Sequence, residues 1–175
     1  MLEQHSDRPS EAALVYIALG SNMGDPINHI RSALKSLAEL DSVSELRSSP
    51  LYESTPLGDV VQENFVNSVC ECYCYLPPLV LLDELQAIEQ QLGRTRDPQQ
   101  GYQHWGPRPM DLDLLLYNRE TLKTPRLTLP HPGMASRSFV LQPLYDLAPD
   151  LIIPGQGAVA ELMKSCERLG IRRLQ

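Results

Sequence analysis

Several large classes are excluded by what this 175-residue chain lacks. No apolar run approaches the ~20 residues that a membrane-crossing helix needs. The first dozen residues, MLEQHSDRPSEA, have no basic segment followed by an apolar one. Residues 1–12 are therefore expected to be a disordered polar tail and not a signal peptide, with residues 13–175 forming one domain and the cytoplasm as its expected location. No G-x-x-x-x-G-K-[ST] stretch occurs, which excludes a P-loop nucleotide site at the level of motifs. Repeats and low-complexity tracts are also missing. Cysteine is scarce, with Cys70, Cys72 and Cys74 at spacing two and Cys166 far away. Neighbours on one strand face stand ~6.5 Å apart, too far for easy disulfides. C-x-C-x-C without nearby histidines does not match zinc spacing either, so the three read as small buried hydrophobes. Excess positive charge is lacking as well: the net charge of −7 argues against nucleic acid as a general partner.

The charge is unevenly spread. Between Arg94 and Arg137 there are seven Lys/Arg against four Asp/Glu, and six of the seven are arginine. Arginine binds phosphate and carboxylate in bidentate fashion, so the window suggests a polyanion site on an otherwise acidic protein. A solvated basic face is the competing reading.

Periodicity predicts the elements. The run from Leu14 to Asn22 reads as a central strand, and Asp25–Pro26 as the cap and first turn of a helix over about 26–40. SVSELRSSPLYES reads as a strand interrupted near Pro50, suiting an edge or a bulge. NFVNSVCECYCYL returns as a third strand, with Val66, Ser68 and the three cysteines on one face and Phe65, Asn67 and Val69 on the other. Pro77–Pro78 opens a second helix with Leu82, Leu85, Ile88 and Leu92 as its stripe, Gln86 and Glu89 on one flank, and Gly93 as its C-terminal stop. Residues 94–109, rich in glycine, proline and glutamine, show no periodicity, and a loop of that length in a compact domain is usually functional or disordered. A strand over 110–117, a short strand in RLTLPH, and helices over about 136–147 and 157–168 complete the chain. The order β-α-β-β-α-β with a central hairpin predicts an α+β, ferredoxin-like antiparallel sheet. Its helices would lie on one face, leaving an open face for ligands, with additional C-terminal strands and helices.

The stretch HWGPRPMDLDLLLY holds the chemistry. Asp111 and Asp113 share one face of an apolar strand about 6.5–7 Å apart. Carboxylates there are costly unless a cation meets them. Paired divalent ions in phosphate-transfer sites lie ~3.5–4 Å apart, within reach of both side chains. Magnesium, taking one or two carboxylates plus substrate phosphates, fits best. Two aspartates on a solvated face would be the bland alternative, but Arg94, Arg96 and Arg108 flank the loop leading into them, with His104 and Trp105 in its second half and Arg126, His131 and Arg137 downstream. Carboxylates, arginines and a loop able to exclude water are the parts a nucleoside triphosphate site requires.

WGPRPMDLDLLLY and LPHPGMASRSFVLQPLYDLAPDL, with YIALGSNMGD and ESTPLGD…ENFVNSV in the same order, resemble the 6-hydroxymethyl-7,8-dihydropterin pyrophosphokinase family of folate biosynthesis. The resemblance spans about residues 14–155. It implies a ferredoxin-like fold and transfer of the β,γ-diphosphate of ATP to the pterin hydroxymethyl oxygen, releasing AMP. By that resemblance two magnesium ions would sit on Asp111 and Asp113. Arg94, Arg96 and Arg108 would contact phosphates or support a closed loop. Gln86, Glu89, Arg96, Arg126, Thr128, His131 and Arg137 fall at nucleotide positions. Ser54, Pro56, Leu57, Phe65, Asn67, Trp105 and Phe139 fall at pterin positions, with the ring between Phe65 and Phe139. His104 stands where arginine is common. The expected partners are ATP and the pterin, with no nucleic acid, no membrane and a monomeric chain. Two other classes compete: a single-stranded RNA binder stacking bases on sheet aromatics, which the acidic charge disfavours, and a non-catalytic small-molecule sensor, which the paired aspartates beside arginines disfavour.

Overall fold

The computed structural model describes residues 11–93, 109–167 and 170–175. Strand β1 (Ala13–Ser21) leads into helix α1 (Pro26–Ala38), whose first turn is closed by Asp25, the side chain accepting from the Asn28 N–H at 3.2 Å. Pro26 follows the cap, where a missing N–H costs nothing. Strands β2 (Val43–Ser48) and β3 (Tyr52–Ser54) then run along the same edge of β4 (Phe65–Cys74). They are two pieces of one interrupted strand, as expected around Pro50. Ser49 fills the gap between them: its N–H donates to the Val69 carbonyl at 2.8 Å, and its hydroxyl accepts from the Val69 N–H at 3.0 Å. Buried backbone groups are thus kept paired across the break.

Helix α2 (Pro78–Gln91) ends at Gly93, whose φ of +94° is the left-handed conformation that stops a helix. After it come β5 (Asp111–Tyr117), the hairpin β6 (Leu122–Lys123) and β7 (Thr128–Leu129), and a short 3-10 turn at Met134–Ser136. Helix α3 (Ser138–Leu147), the hairpin β8 (Ile152–Ile153) and β9 (Gly157–Ala158), helix α4 (Val159–Ser165) and strand β10 (Ile171–Arg173) complete the described chain. The main sheet is six-stranded, in the order β10-β3-β4-β1-β5 with β2 also on β4, and every pairing is antiparallel.

Two cores sandwich this sheet. On one face Ile30, Ala33 and Leu37 of α1 and Leu81, Leu85 and Ile88 of α2 pack on Val15, Ile17, Leu19, Cys70, Cys72 and Cys74. The three cysteines are free and buried, and burial raises their thiol pKa values, to about 12 for Cys72. They behave as the small hydrophobes expected. On the other face Val140, Leu141 and Leu144 of α3 and Val159 and Met163 of α4 pack on Tyr16, Val69, Leu115 and Leu116. The second face is therefore only partly open, a correction to the expectation of helices on one face. Consecutive residues Leu115 and Leu116 both enter the second core because the β1–β5 register shifts between Tyr16 and Ile17. One extra residue in β5 turns the alternation over at that point.

The second-helix stripe also differs from expectation. Leu81 and Glu89 are buried together with Leu85 and Ile88, whereas Leu82 and Leu92 are half-buried. The last helix is shorter than expected, and β10 was not anticipated. Among the described residues no helix is long and apolar enough to cross a membrane.

Candidate active site

A cavity of about 430 Å³ opens over the ends of β1, β4 and β5, between the 54–57 segment, the end of α2 and residues 124–140. That volume suits a small-molecule site. Most of the predicted residues converge on it: Ser54, Leu57, Phe65, Asn67, Gln86, Glu89, Asp111, Asp113, Arg126, Thr128, His131, Arg137 and Phe139 all line it. Pro56 does not, although its neighbours Thr55 and Leu57 do. Arg94, Arg96, His104, Trp105 and Arg108 lie outside the described residues, as does the loop expected to act as a lid.

One end of the cavity is neutral. The chain has two phenylalanines, Phe65 and Phe139, and both line this space. Asn67 is buried in β4, and its amide NH2 donates to the Ser54 hydroxyl at 2.6 Å across the β3–β4 pair. That bond holds the amide plane in one orientation. Gly20 of β1 lies beside it: a Cβ there would stand 3.4 Å from Asn67 Oδ1 and 3.9 Å from a Phe65 ring carbon. The absence of a side chain at Gly20 keeps the floor of this end low. Beyond it, Asn22 donates from its side chain to Gln62 Oε1 at 2.8 Å and to the Glu63 carbonyl at 3.0 Å, tying the end of β1 to the 55–64 connection.

The other end is charged. Asp111 and Asp113 are half-buried on the same face of β5, opposite Gly20 and Ala18 of β1 in the pairing register. Two small residues facing two carboxylates leave room for cations. No group of three or more metal-ligating side chains occurs among the described residues. A two-carboxylate donor set fits magnesium, which takes the rest of its shell from phosphate and water, and does not fit a closed zinc site.

Strand β5 is the outer strand of the main sheet, so its outward backbone groups need partners from elsewhere. Glu89 of α2 supplies one: 2% exposed, it accepts the Leu112 N–H at 2.9 Å, at the residue between the two aspartates. The His131 N–H supplies another, donating to the Leu115 carbonyl at 2.9 Å. The His131 ring accepts the Gly133 N–H on Nδ1 at 3.1 Å, so in the neutral ring the proton sits on Nε2. Burial pushes the His131 pKa below the ordinary value of 6.5, the Arg137 cation lowers it further, and Asp111 acts in the opposite sense. Arg137, just before α3, lays its guanidinium over Gly133, where a Cβ would stand 2.6 Å from Cζ. Arg126 pairs with Asp83 of α2, both substantially exposed. The Arg126 turn is closed by Thr124, whose hydroxyl donates to the Leu127 carbonyl at 3.1 Å and accepts its N–H at 3.0 Å.

The sequence reading did not single out Ala18, Gly20, Asn22, Thr55 or Thr124 as parts of this site. Ala18 and Gly20 alternate with Ile17, Leu19 and Ser21, and two small residues in succession on one face of the strand are the available signal for a surface kept low.

Comparison with known proteins identifies the family of the chain. The description 7,8-dihydro-6-hydroxymethylpterin-pyrophosphokinase (HPPK) matches residues 16–149. The chain is 48% identical over 160 residues to the 2-amino-4-hydroxy-6-hydroxymethyldihydropteridine pyrophosphokinase of Pseudomonas aeruginosa, covering 91% of this chain and 96% of the relative. It is 43% identical over 149 residues to the enzyme of the same name from Haemophilus influenzae, covering 85% and 90%. Among solved structures, a Plasmodium falciparum HPPK-DHPS chain superposes with a TM-score of 0.70 at 14% identity, over 92% of this chain and 46% of that one. Another HPPK-DHPS structure gives 0.66 over 88% and 43%. This chain thus spans less than half of those longer chains, and at such identity they speak to the fold alone.

Proposed function

With this chain a member of the 7,8-dihydro-6-hydroxymethylpterin-pyrophosphokinase family, and so a pyrophosphokinase of folate biosynthesis, we propose that the cavity is its active site, with the pterin at the neutral end and ATP at the charged end. The observation that carries this reading is the meeting, in one space, of both phenylalanines and a fixed amide with two carboxylates, a histidine and two arginines.

Phe65 and Phe139 take the flat ring between them, and Asn67, oriented by Ser54, reads its polar edge, with Leu57 closing one side. The nucleotide lies along Gln86, Thr128 and the 126–137 segment. Arg126 leaves the exposed Asp83 for a phosphate oxygen, since a surface ion pair of this kind is worth little. Neutral His131 offers its Nε2–H as a donor, and Arg137 supplies fixed positive charge. Glu89 is read as a positioning residue: its carboxylate holds the backbone between the aspartates, so that both side chains project into the cavity. Asp111 and Asp113 would hold two magnesium ions, which supply charge neutralisation on the phosphates when bound. The chain's own part is alignment: it sets the hydroxymethyl oxygen in line with the β-phosphorus and keeps water from competing. Arg94, Arg96, Trp105 and Arg108 enter on resemblance, as further phosphate contacts and a cover for the ring.

The strand order β5-β1-β4-β3 with α1 and α2 on one face supports a ferredoxin-like reading of the part of the chain from β1 to β5. The chain is read as a monomer in the cytoplasm acting on diffusing small molecules. The test is AMP formation from Mg-ATP with and without 6-hydroxymethyl-7,8-dihydropterin. AMP should appear only with the pterin and in equal amount to the pterin diphosphate; pterin-independent AMP, or turnover surviving in an Asp111→Ala, Asp113→Ala double variant, would overturn the assignment of this cavity.

A further inference from the structure

We infer that the C-terminal strand β10 positions the pterin end of the cavity, acting through Thr55. The inference rests on the reading of Ser54, Phe65 and Asn67 as the pterin wall. The family match ends at residue 149, yet β10 lies beyond it and forms the outer strand next to β3. Ile171, Arg172 and Arg173 pair with Ser54, Glu53 and Tyr52. The pairing continues past both ends of β3: the Thr55 N–H donates to the Gly170 carbonyl at 3.0 Å, and the Leu174 N–H to the Leu51 carbonyl at 2.9 Å. The side-chain pair Arg172–Glu53 at 3.2 Å is largely exposed on the arginine side and adds little. Backbone pairing does the registering.

Thr55 is the residue at which the chain leaves β3, and it lines the cavity beside Ser54, whose hydroxyl accepts from Asn67. Three residues of β3 paired on β4 alone form a short strand with little to set its exit direction. Its bond to Gly170 supplies that direction. The turn at Gly170 is shaped for close approach. Its φ is +72°, and a Cβ there would stand 2.9 Å from Thr55 Cβ, with Thr55 Cγ2 and Oγ1 closer still. Threonine is stiff at χ1, so it cannot swing aside cheaply, and a side chain at 170 has to displace the Thr55 backbone. Gly155 provides a matched reference: its φ is +71°, and nothing lies within 4 Å of its Cβ position. The two glycines share the backbone strain of substitution. Only one of them transmits it to the cavity.

The experiment compares steady-state kinetics of Gly170→Ala and Gly155→Ala in the full chain. Gly170→Ala is expected to raise KM for the pterin about tenfold while kcat and KM for ATP stay within about twofold, and Gly155→Ala to leave all three within about twofold. A chain ending after residue 169 should show the same split, larger. Equal pterin KM in the two glycine variants, or equal loss for pterin and ATP, would overturn the inference and reduce β10 to general stability. If the shortened chain does not fold, Gly170→Ala alone decides. Asn67→Ala separates the two layers of the argument. If it leaves pterin KM unchanged, the pterin wall itself is misassigned; if it raises pterin KM while Gly170→Ala does not, only the role of β10 fails.

Discussion

The two ends of the cavity are built differently. The neutral end sits on the interior of the sheet, where β4 is paired on both sides and Asn67 and Ser54 satisfy each other. The charged end sits on the outer strand β5, where Glu89 and His131 from other elements replace the missing sheet neighbour. A planar neutral ring is recognised by shape and by a few fixed polar atoms, so it gains from a rigid interior surface. Phosphates and metal ions arrive with large charges and water, so the carboxylates proposed to meet them are better placed half-buried at an edge, where a charge keeps more of its hydration. The difference predicts separable failures: changes at one end should act on one substrate and spare the other.

The largest effect is expected from the carboxylates. On the proposed reading, Asp111→Ala or Asp113→Ala should lower kcat by about 10²-fold or more, because each would remove a group acting on charge in the transition state. Pterin binding, measured by calorimetry without nucleotide, should be unchanged. Loss of pterin affinity in these variants would show that the two ends are not independent.

Phe139→Ala sharpens the comparison from the other side. It should weaken pterin binding by about tenfold or more, or about 1.4 kcal/mol, while ATP binding changes far less. Phe139 also packs against the second core at the start of α3, so equal weakening for both ligands would make it a core residue and not a stacking one.

How much of this was legible beforehand follows the range of the interactions. Period-two alternation put Phe65 and Asn67 on one face of their strand and Asp111 with Asp113 on one face of theirs, and both pairs reach the cavity. Pro50 announced the β2–β3 break because it cannot donate to a ladder. Long-range choices left no local trace. Strand β10 is three residues with two arginines, and nothing in it names β3 as its partner. The coverage of the second face by α3 and α4 depends on where Leu115 and Leu116 point, which a one-residue register shift decides. Glu89 read as a polar helix flank beside Gln86, whereas the outer position of β5 draws its carboxylate inward to a backbone N–H.

That carboxylate gives the next prediction. Glu89→Ala leaves the buried Leu112 N–H without its partner, at a cost of about 1–3 kcal/mol of stability. Glu89→Gln keeps an acceptor and should recover most of it. Thermal or urea unfolding measures both. If the charged end depends on this bond for its geometry, Glu89→Ala should also lower kcat at temperatures well below its transition, with pterin affinity intact.

The smallest effect concerns pH. Burial and the nearby Arg137 hold the His131 pKa below its ordinary 6.5, so the folded protein favours the neutral ring that accepts the Gly133 N–H on Nδ1. Above 6.5 the ring is neutral in both folded and unfolded chains and contributes no pH dependence. As pH falls through 6.5, the unfolded chain takes up a proton that the folded one resists. Unfolding then binds more protons, and stability drops with falling pH until the folded ring also protonates. His131→Gln should flatten the stability curve in that window when urea unfolding is followed between about pH 7.5 and 5. Protonation of the folded ring would also turn Nδ1 from acceptor to donor against the Gly133 N–H, so the wild-type charged end should lose ATP affinity only at lower pH, where the folded ring itself takes up the proton. The neutral end offers no such group among its described residues, and pterin affinity should stay level there. A wild-type curve as flat as that of the variant would show that Asp111 offsets burial and Arg137 in full.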